Sequence, residues 1–343
     1  MKNNLIIFTS LLFFIGCNNN NGLKGERFDD SSFSETVELS AEICPYEAYG
    51  TPSMIVCNDS LLFIGNNAIT PMVDVVSMTD YKLKSSQIHK GHARNELLIC
   101  RDILIDYPLI WALDMQQGAI VSYDYDDFVS GDGICDCVDR IALSTNTTAN
   151  IVKFGSDKFA AINFLRDESI TVYDMWGNID STTYEKVPYP FEAEKELSLV
   201  ESIYYYLRKP SYNEQNKTMV VYYNTRHLFE IYDDNLTLRK RVIGPLRKEL
   251  TSEIDNSYFT YQIVSFTKDY MYLLYQGTAT RYQAEGNMKA VNSIVYQFDY
   301  DGNPIRKYML DKAVINMTIC ENNNAIYALS SSLSGTELLK YKL

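Results

Sequence analysis

Residues 101–128, RDILIDYPLIWALDMQQGAIVSYDYDDF, carry the pattern that most limits what this chain can fold into. The stretch predicts a strand at Asp102–Ile105, a tight turn through Asp106–Pro108 and a second strand at Leu109–Leu113. A polar loop at Asp114–Gly118 then leads to a third strand at Ala119–Tyr125. Each strand is short, rich in Ile, Leu, Val, Trp and Tyr, and bounded by Asp, Pro, Gly or Gln. The hairpin recurs at 53–64, 150–163, 261–276 and 314–330, and around a longer turn at 201–224. The third strand recurs at 73–80, 169–178, 228–235, 293–303 and 337–343, and most copies end in Asp with Gly or Asn, the chemistry of a tight turn. A fourth strand follows five of the copies, with Asp80, Asp124, Asp174, Asp233 and Asp299 marking the repeat.

Four strands in roughly 40–50 residues is the repeat of a propeller blade. The sixth copy stops after its third strand because the chain ends at Leu343. Its missing strand is assigned to Glu35–Ile43, ETVELSAEI, which would close the ring and cover two strand edges. The expected fold is therefore all-β, a six-bladed β-propeller over residues 34–343 with an N-terminal strand closing the last blade. The inner strands are read at MIVC, DILI, NIVKF, IYYYL, YQIVSF and VINMTI.

The N-terminus is a targeting segment. Lys2 gives a basic start, and Leu5–Ile15 is apolar but too short to span a bilayer as a mature helix. Phe14-Ile15-Gly16-Cys17 resembles the lipobox of bacterial lipoproteins, with Phe14 in place of the usual Leu. The resemblance implies a signal peptide at 1–16 and an acylated Cys17. A flexible tether follows over 17–33, and the protein is expected at the cell envelope, on the outer membrane. The alternative is an ordinary secretory signal with an incidental Cys17. Six further cysteines follow, an even count that permits disulfides without fixing any pairing. Cys57, Cys100 and Cys320 lie in apolar strand patterns, where buried free thiols are expected.

The signal, the six-blade pattern and the segment after the first complete blade together resemble the TolB-like six-bladed propeller lipoproteins of Gram-negative bacteria. Many of those carry a G-x-G-P-x-E-F-like segment there. Here it reads Gly91-His92-Ala93-Arg94-Asn95-Glu96-Leu97, matching at Gly91 and Glu96, and a looser echo runs from Gly244-Pro245 to Glu249-Leu250. The resemblance implies fold and location, not an activity.

Net charge of −13 argues against nucleic acid, which needs a basic footprint. In an up-and-down blade the second-to-third-strand loops share a face with the inter-blade links, here the longer and more polar connections, and function favours such loops. That face collects His92, Arg94, Glu96, Gln116, Arg166, Arg226, His227, Arg281 and Tyr282 as candidate ligand-binding residues. Arginines from several blades could read a carboxylate, sulfate or phosphate, or else pair with local Asp and Glu. His89 and His92 are not spaced to hold a metal on a strand-to-loop stretch. No cofactor is called for; calcium is the ion that turns such as Asp124-Asp126-Asp127 and Asp132-Asp136 could hold. The 27 tyrosines suit half-buried pleated positions and also sugar stacking.

The expected role is a membrane-anchored binding module, monomeric, for an envelope protein, peptide or glycan. The alternative is a calcium-dependent hydrolase or lyase resembling six-bladed lactonases, with inward-facing acids and amides. Asp102, Asn150 and Asn316 are the polar groups that interrupt the apolar inner strands and bear on that alternative.

Overall fold

The structure, a computed structural model, describes residues 25–343 except 48, 132, 145–147, 164–169, 184–206, 246–258, 278–291 and 331–334. Six antiparallel sheets follow one another along the chain, each ordered from an inner strand to an outer one. The inner strands are Met54–Asn58, Cys100–Asp106, Thr148–Phe154, Arg208–Asn213, Tyr261–Phe266 and Val314–Cys320. Each meets the inner strand of the next blade, and the last meets the first, which closes a ring around one axis. Among the described residues no helix is long and apolar enough to cross a membrane.

The second and third strands of each blade are buried on both faces, as in Thr218–Tyr223 and Leu228–Tyr232, where every residue is buried. These strands pack blade against blade and form the core, which explains their continuous runs of Val, Ile, Leu, Phe and Tyr. Among the described residues nine tyrosines are less than 2% exposed, so structural packing absorbs much of the tyrosine content.

The marker aspartates hold the turns between third and outer strands. Asp174 Oδ1 accepts from the backbone N–H of Trp176 and Asn178, both at 2.9 Å. Asp233 accepts from Asn235 and Thr237 at 2.9 and 2.8 Å, and Asp299 from Asp301 and Asn303 at 3.0 and 2.8 Å. Three residues after the aspartate the backbone turns left-handed, at Gly177, Gly302 and Leu236. Glycine fits that conformation without a Cβ penalty. Leu236 adopts it with its side chain 8% exposed, buried in the neighbouring core. In blade 2 Asp124 instead caps a short helix, Tyr125–Ser130, accepting from Asp127 N–H at 3.1 Å. In blade 1 the equivalent residue is Ser77, whose Oγ accepts from Thr79 at 3.2 Å, so Asp80 lies three residues beyond the repeat position.

Two expectations are corrected at the N-terminus. Glu35–Ile43 is not one closing strand. Glu35–Leu39 runs parallel to Arg306–Leu310 as a fifth, outermost strand of blade 5. Only Glu42–Ile43 completes blade 6, antiparallel to Leu339–Lys340. The break falls at Ser40-Ala41, where the Asp311 carboxylate takes the Ala41 N–H at 3.1 Å and turns the chain. The tether does not extend to residue 33 either. Glu26–Arg27 pairs in parallel with Val242–Ile243 on blade 4. Phe28 and Phe33 then insert between blades 4 and 5, and Phe28 lies edge-on to Tyr296 and Phe298 at 5.6 and 5.2 Å.

A third correction concerns the thiols. Cys57 and Cys320 form a disulfide that joins the first inner strand to the last, with Cα atoms 6.1 Å apart. Cys100 is a free, buried thiol, as expected; Cys44 and Cys135, for which the sequence set no expectation, are free and buried too. The inner strand of blade 4 also differs from the reading at IYYYL: it is Arg208–Asn213, and 201–206 lie outside the described residues.

Candidate functional site: the axial channel

The six inner strands enclose a cavity of about 550 Å³ lined by residues from every blade. Its deeper wall is largely apolar, with Val56, Leu104, Val152 and Ile263. Its polar residues gather where the inner strands begin, the end that receives the inter-blade links: Arg101, Asp102, Asn150, Lys209, Gln262 and Asn316. Three of these, Asp102, Asn150 and Asn316, are the inward polar groups singled out in the sequence.

Backbone irregularity sets this ring. The inner strands of blades 2, 3, 5 and 6 each shift register at their start, between Cys100 and Ile103, Thr148 and Asn150, Tyr261 and Ile263, and Val314 and Asn316. Such bulges bend a strand and re-aim its side chains. They bring Arg101 and Asp102, Asn150, Gln262 and Asn316 to one level of the cavity. Blade 4 has no such bulge, and its Lys209 reaches the same level opposite Tyr222.

Asn150 Nδ2 donates to Asp102 Oδ2 at 2.9 Å across blades 2 and 3. Asn316 Nδ2 donates to Ser53 O at 2.9 Å across blades 6 and 1. Burial raises the Asp102 carboxyl above its ordinary range, against the opposing pull of Lys209, Arg101 and Asn150. Lys209 is half-exposed by surface area because the channel is open, yet protein surrounds it. Burial, and secondly the Arg101 charge, depress its pKa to about 8. Burial pushes the Tyr222 phenol up, so it stays neutral.

None of the described candidates on the link face lines this cavity. Glu96 folds under its own loop, where its Oε2 accepts from Ala93 N–H at 3.0 Å. A Cβ on Gly91 would strike that carboxylate, which gives the Gly91 and Glu96 matches a loop-closing reason. Arg94 is exposed and donates to Val138 O at 3.4 Å on the outer strand of blade 2. Arg140, which sequence reasoning passed over, clamps the loop by donating to Arg94 O and Glu96 O at 3.2 and 3.1 Å. His92 and Gln116 are exposed.

Arg226 is 3% exposed and lies over the Tyr223 ring at 5.6 Å. His227 is 1% exposed, in a seam with Phe28, Tyr261, Tyr275 and Tyr296. Neither lines the channel. Arg166, Arg281 and Tyr282 lie outside the described residues.

Sequence reasoning also missed Arg101 and Lys209. Arg101 sits one residue before a flagged position, but its bulge leaves no trace in the hydrophobic pattern. Lys209 was placed past the inner strand of its blade.

A comparison with protein families matches residues 31–322 to the TolB-like 6-blade propeller-like family. No curated protein matches. Among solved structures, a member of the DUF4221 family from Bacteroides vulgatus aligns with a TM-score of 0.60 and 10% identity, over 89% of this chain and 97% of that one. A protein of Bacteroides fragilis described as exported aligns at 0.56 and 11%, over 89% and 98%. The Cps50 (Swd1) propeller domain of Myceliophteria thermophila aligns at 0.53 and 12%, over 88% and 99%. At such identities these likenesses speak to fold alone. The family match covers most of the chain, the six sheets close one ring, and the protein belongs to the TolB-like six-bladed propeller family.

Proposed function

We propose that the protein is an exported, lipid-anchored binding module of the cell envelope that takes a small polar ligand, or a polar group of a larger protein, peptide or glycan, into the mouth of its axial channel. The observation that carries this reading is the polar ring: four blades bring Asp102, Asn150, Lys209 and Asn316 to one level of a cavity whose remaining wall mixes aliphatic side chains with polar ones such as Asn67, Arg101 and Gln262. Polar groups that converge from several elements on one concave, partly apolar cavity are a usual mark of a ligand site.

Export and anchoring rest on the apolar run before Cys17, and the structural neighbour described as exported is in keeping with them. The calcium-dependent hydrolase reading finds less support. Calcium takes six to eight oxygen ligands, whereas Asp102 is the one carboxylate among the described lining residues. No three His, Cys, Asp or Glu among the described residues stand close enough to share an ion.

Native mass spectrometry of the detergent-extracted, lipidated protein tests both halves. A diacylglyceryl mass on Cys17, lost in Cys17→Ser together with membrane fractionation, supports the anchor. A co-isolated small molecule that is absent from an Asn150→Leu/Asn316→Leu variant of unchanged melting temperature supports the channel. An unmodified Cys17, or a ligand retained by that variant, overturns the corresponding half.

A further inference from the structure

We propose that the channel mouth is an anion site in which Lys209 and Arg101 together bind a carboxylate or phosphate group of the ligand. The inference rests on the channel reading above and names its ligand class. Many lysines on the propeller's outer surface have carboxylate partners, among them Lys153 with Asp106, Lys158 with Asp180, Lys240 with Glu26, Lys307 with Asp30 and Lys312 with Glu337. The side chains of Arg101 and Lys209 make no hydrogen bond or ion pair with any described residue, although both line the cavity.

Asp102 attracts both through space but forms an ion pair with neither, and its Oδ2 accepts from Asn150. Two cations and one carboxylate leave the mouth net positive inside a chain of net charge −13. Within about 10 Å the local field outweighs the distant surface charge. Gln262 adds a neutral donor: its Nε2 is buried and has no partner among the described residues.

Burial first, and the facing Arg101 charge second, make a protonated Lys209 costly, and its depressed pKa records that cost. A bound anion would remove it. Arg101 can pair with carboxylate or phosphate through two N–H groups, while Lys209 acts as a point charge. The groups facing Lys209 are Arg101 and Asp102 from blade 2, Asn150 from blade 3, Tyr222 from its own blade and Gln262 from blade 5. Of these, Asp102 and Tyr222 can titrate. Burial holds Tyr222 neutral and raises the Asp102 carboxyl, so the part played by the amine is isolated by Lys209→Arg, whose guanidinium keeps its charge throughout.

The test is calorimetric titration of the mature protein at low salt with two probes, inorganic phosphate and citrate, which separate a phosphate site from a carboxylate site. At pH 7 at least one probe should bind. Lys209→Met and Arg101→Gln should each weaken it about tenfold or more, the loss of one paired charge. Lys209→Arg should keep the affinity. The affinity of the native protein relative to that of Lys209→Arg should fall about tenfold between pH 7 and 9 as the amine loses its proton, a ratio in which the ionisation of the probe cancels. Melting curves of all variants exclude unfolding as the cause.

Undiminished binding in both charge-removing variants, or no binding of either probe at millimolar concentration, overturns the anion site. A neutral molecule co-isolated in the channel would also overturn it while leaving the channel reading intact. Neither a probe bound nor a molecule co-isolated would remove both.

Discussion

Glu230 shows what a charge costs inside this propeller when it is fully paired. Its carboxylate is 1% exposed and accepts from Tyr223 Oη at 3.1 Å, Tyr232 Oη at 2.9 Å and Arg241 Nε at 2.7 Å. Glu230→Ala would strand the Arg241 guanidinium, and the expected loss is about 3–5 kcal/mol, read as a lower urea midpoint.

Lys209 is the opposite case. Its pKa is lower in the folded state, about 8, than in the unfolded chain, so the unfolded state binds the extra proton between that value and the ordinary lysine range. The Lys209 contribution should therefore make the protein more stable as pH rises through that window. Lys209→Met should flatten that rise and raise the melting temperature at pH 7, the trade expected of a group kept for binding rather than for stability. Asp102 and Asn150 were visible in the sequence because a polar residue interrupts an apolar strand. Arg101 was not, because a charged residue at a strand start reads as solvated until its bulge shows where it points, and Lys209 was not, because the inner strand of blade 4 was read at IYYYL, before it.

The elements repeat more closely than the letters do. Outer strands of blades 1 to 5 each carry one unpaired residue at the same register, at Lys84, Val138, Asp180, Arg239 and Ile305. Arg239 uses it to meet Asp301 of the next blade at 2.9 Å. Strand count and turn aspartates sufficed to read six blades because each unit ends in its own turn chemistry. The split of residues 35–43 was not legible, since a parallel added strand and an antiparallel closing strand share the same alternation. Only Asp311, some 270 positions away, decides where one ends.

The hold of residues 26–39 on blades 4 and 5 depends on Phe28 and Phe33. Phe28 is 5% exposed, so Phe28→Ala should cost about 3–5 kcal/mol, measured by denaturant unfolding. Deleting residues 25–41 should expose the outer strands of blades 4 and 5 and cause concentration-dependent aggregation, visible by light scattering.

At the scale of the molecule the ring is closed twice, by Glu42–Ile43 on the last blade and by the Cys57–Cys320 disulfide between the first and last inner strands. Once a ring is assumed, the first and last inner strands must be neighbours, and a cysteine in each is a pairing signal; read one strand at a time, each looked like a buried thiol. Cys57→Ala/Cys320→Ala should lose about 2–4 kcal/mol, and a reductant should lower the native midpoint toward that of the variant.

A ring of rigid blades leaves its axis as the place where side chains distant in sequence meet, and the channel mouth is where the unpaired charges stand. The most direct measurement is a crystal structure of the mature protein soaked in selenate, with the anion located by anomalous scattering. The expected result is a peak between Arg101 and Lys209 that is lost in Lys209→Met. Selenate found only on the outer rim, or an unchanged peak in the variant, would contradict an anion-reading channel.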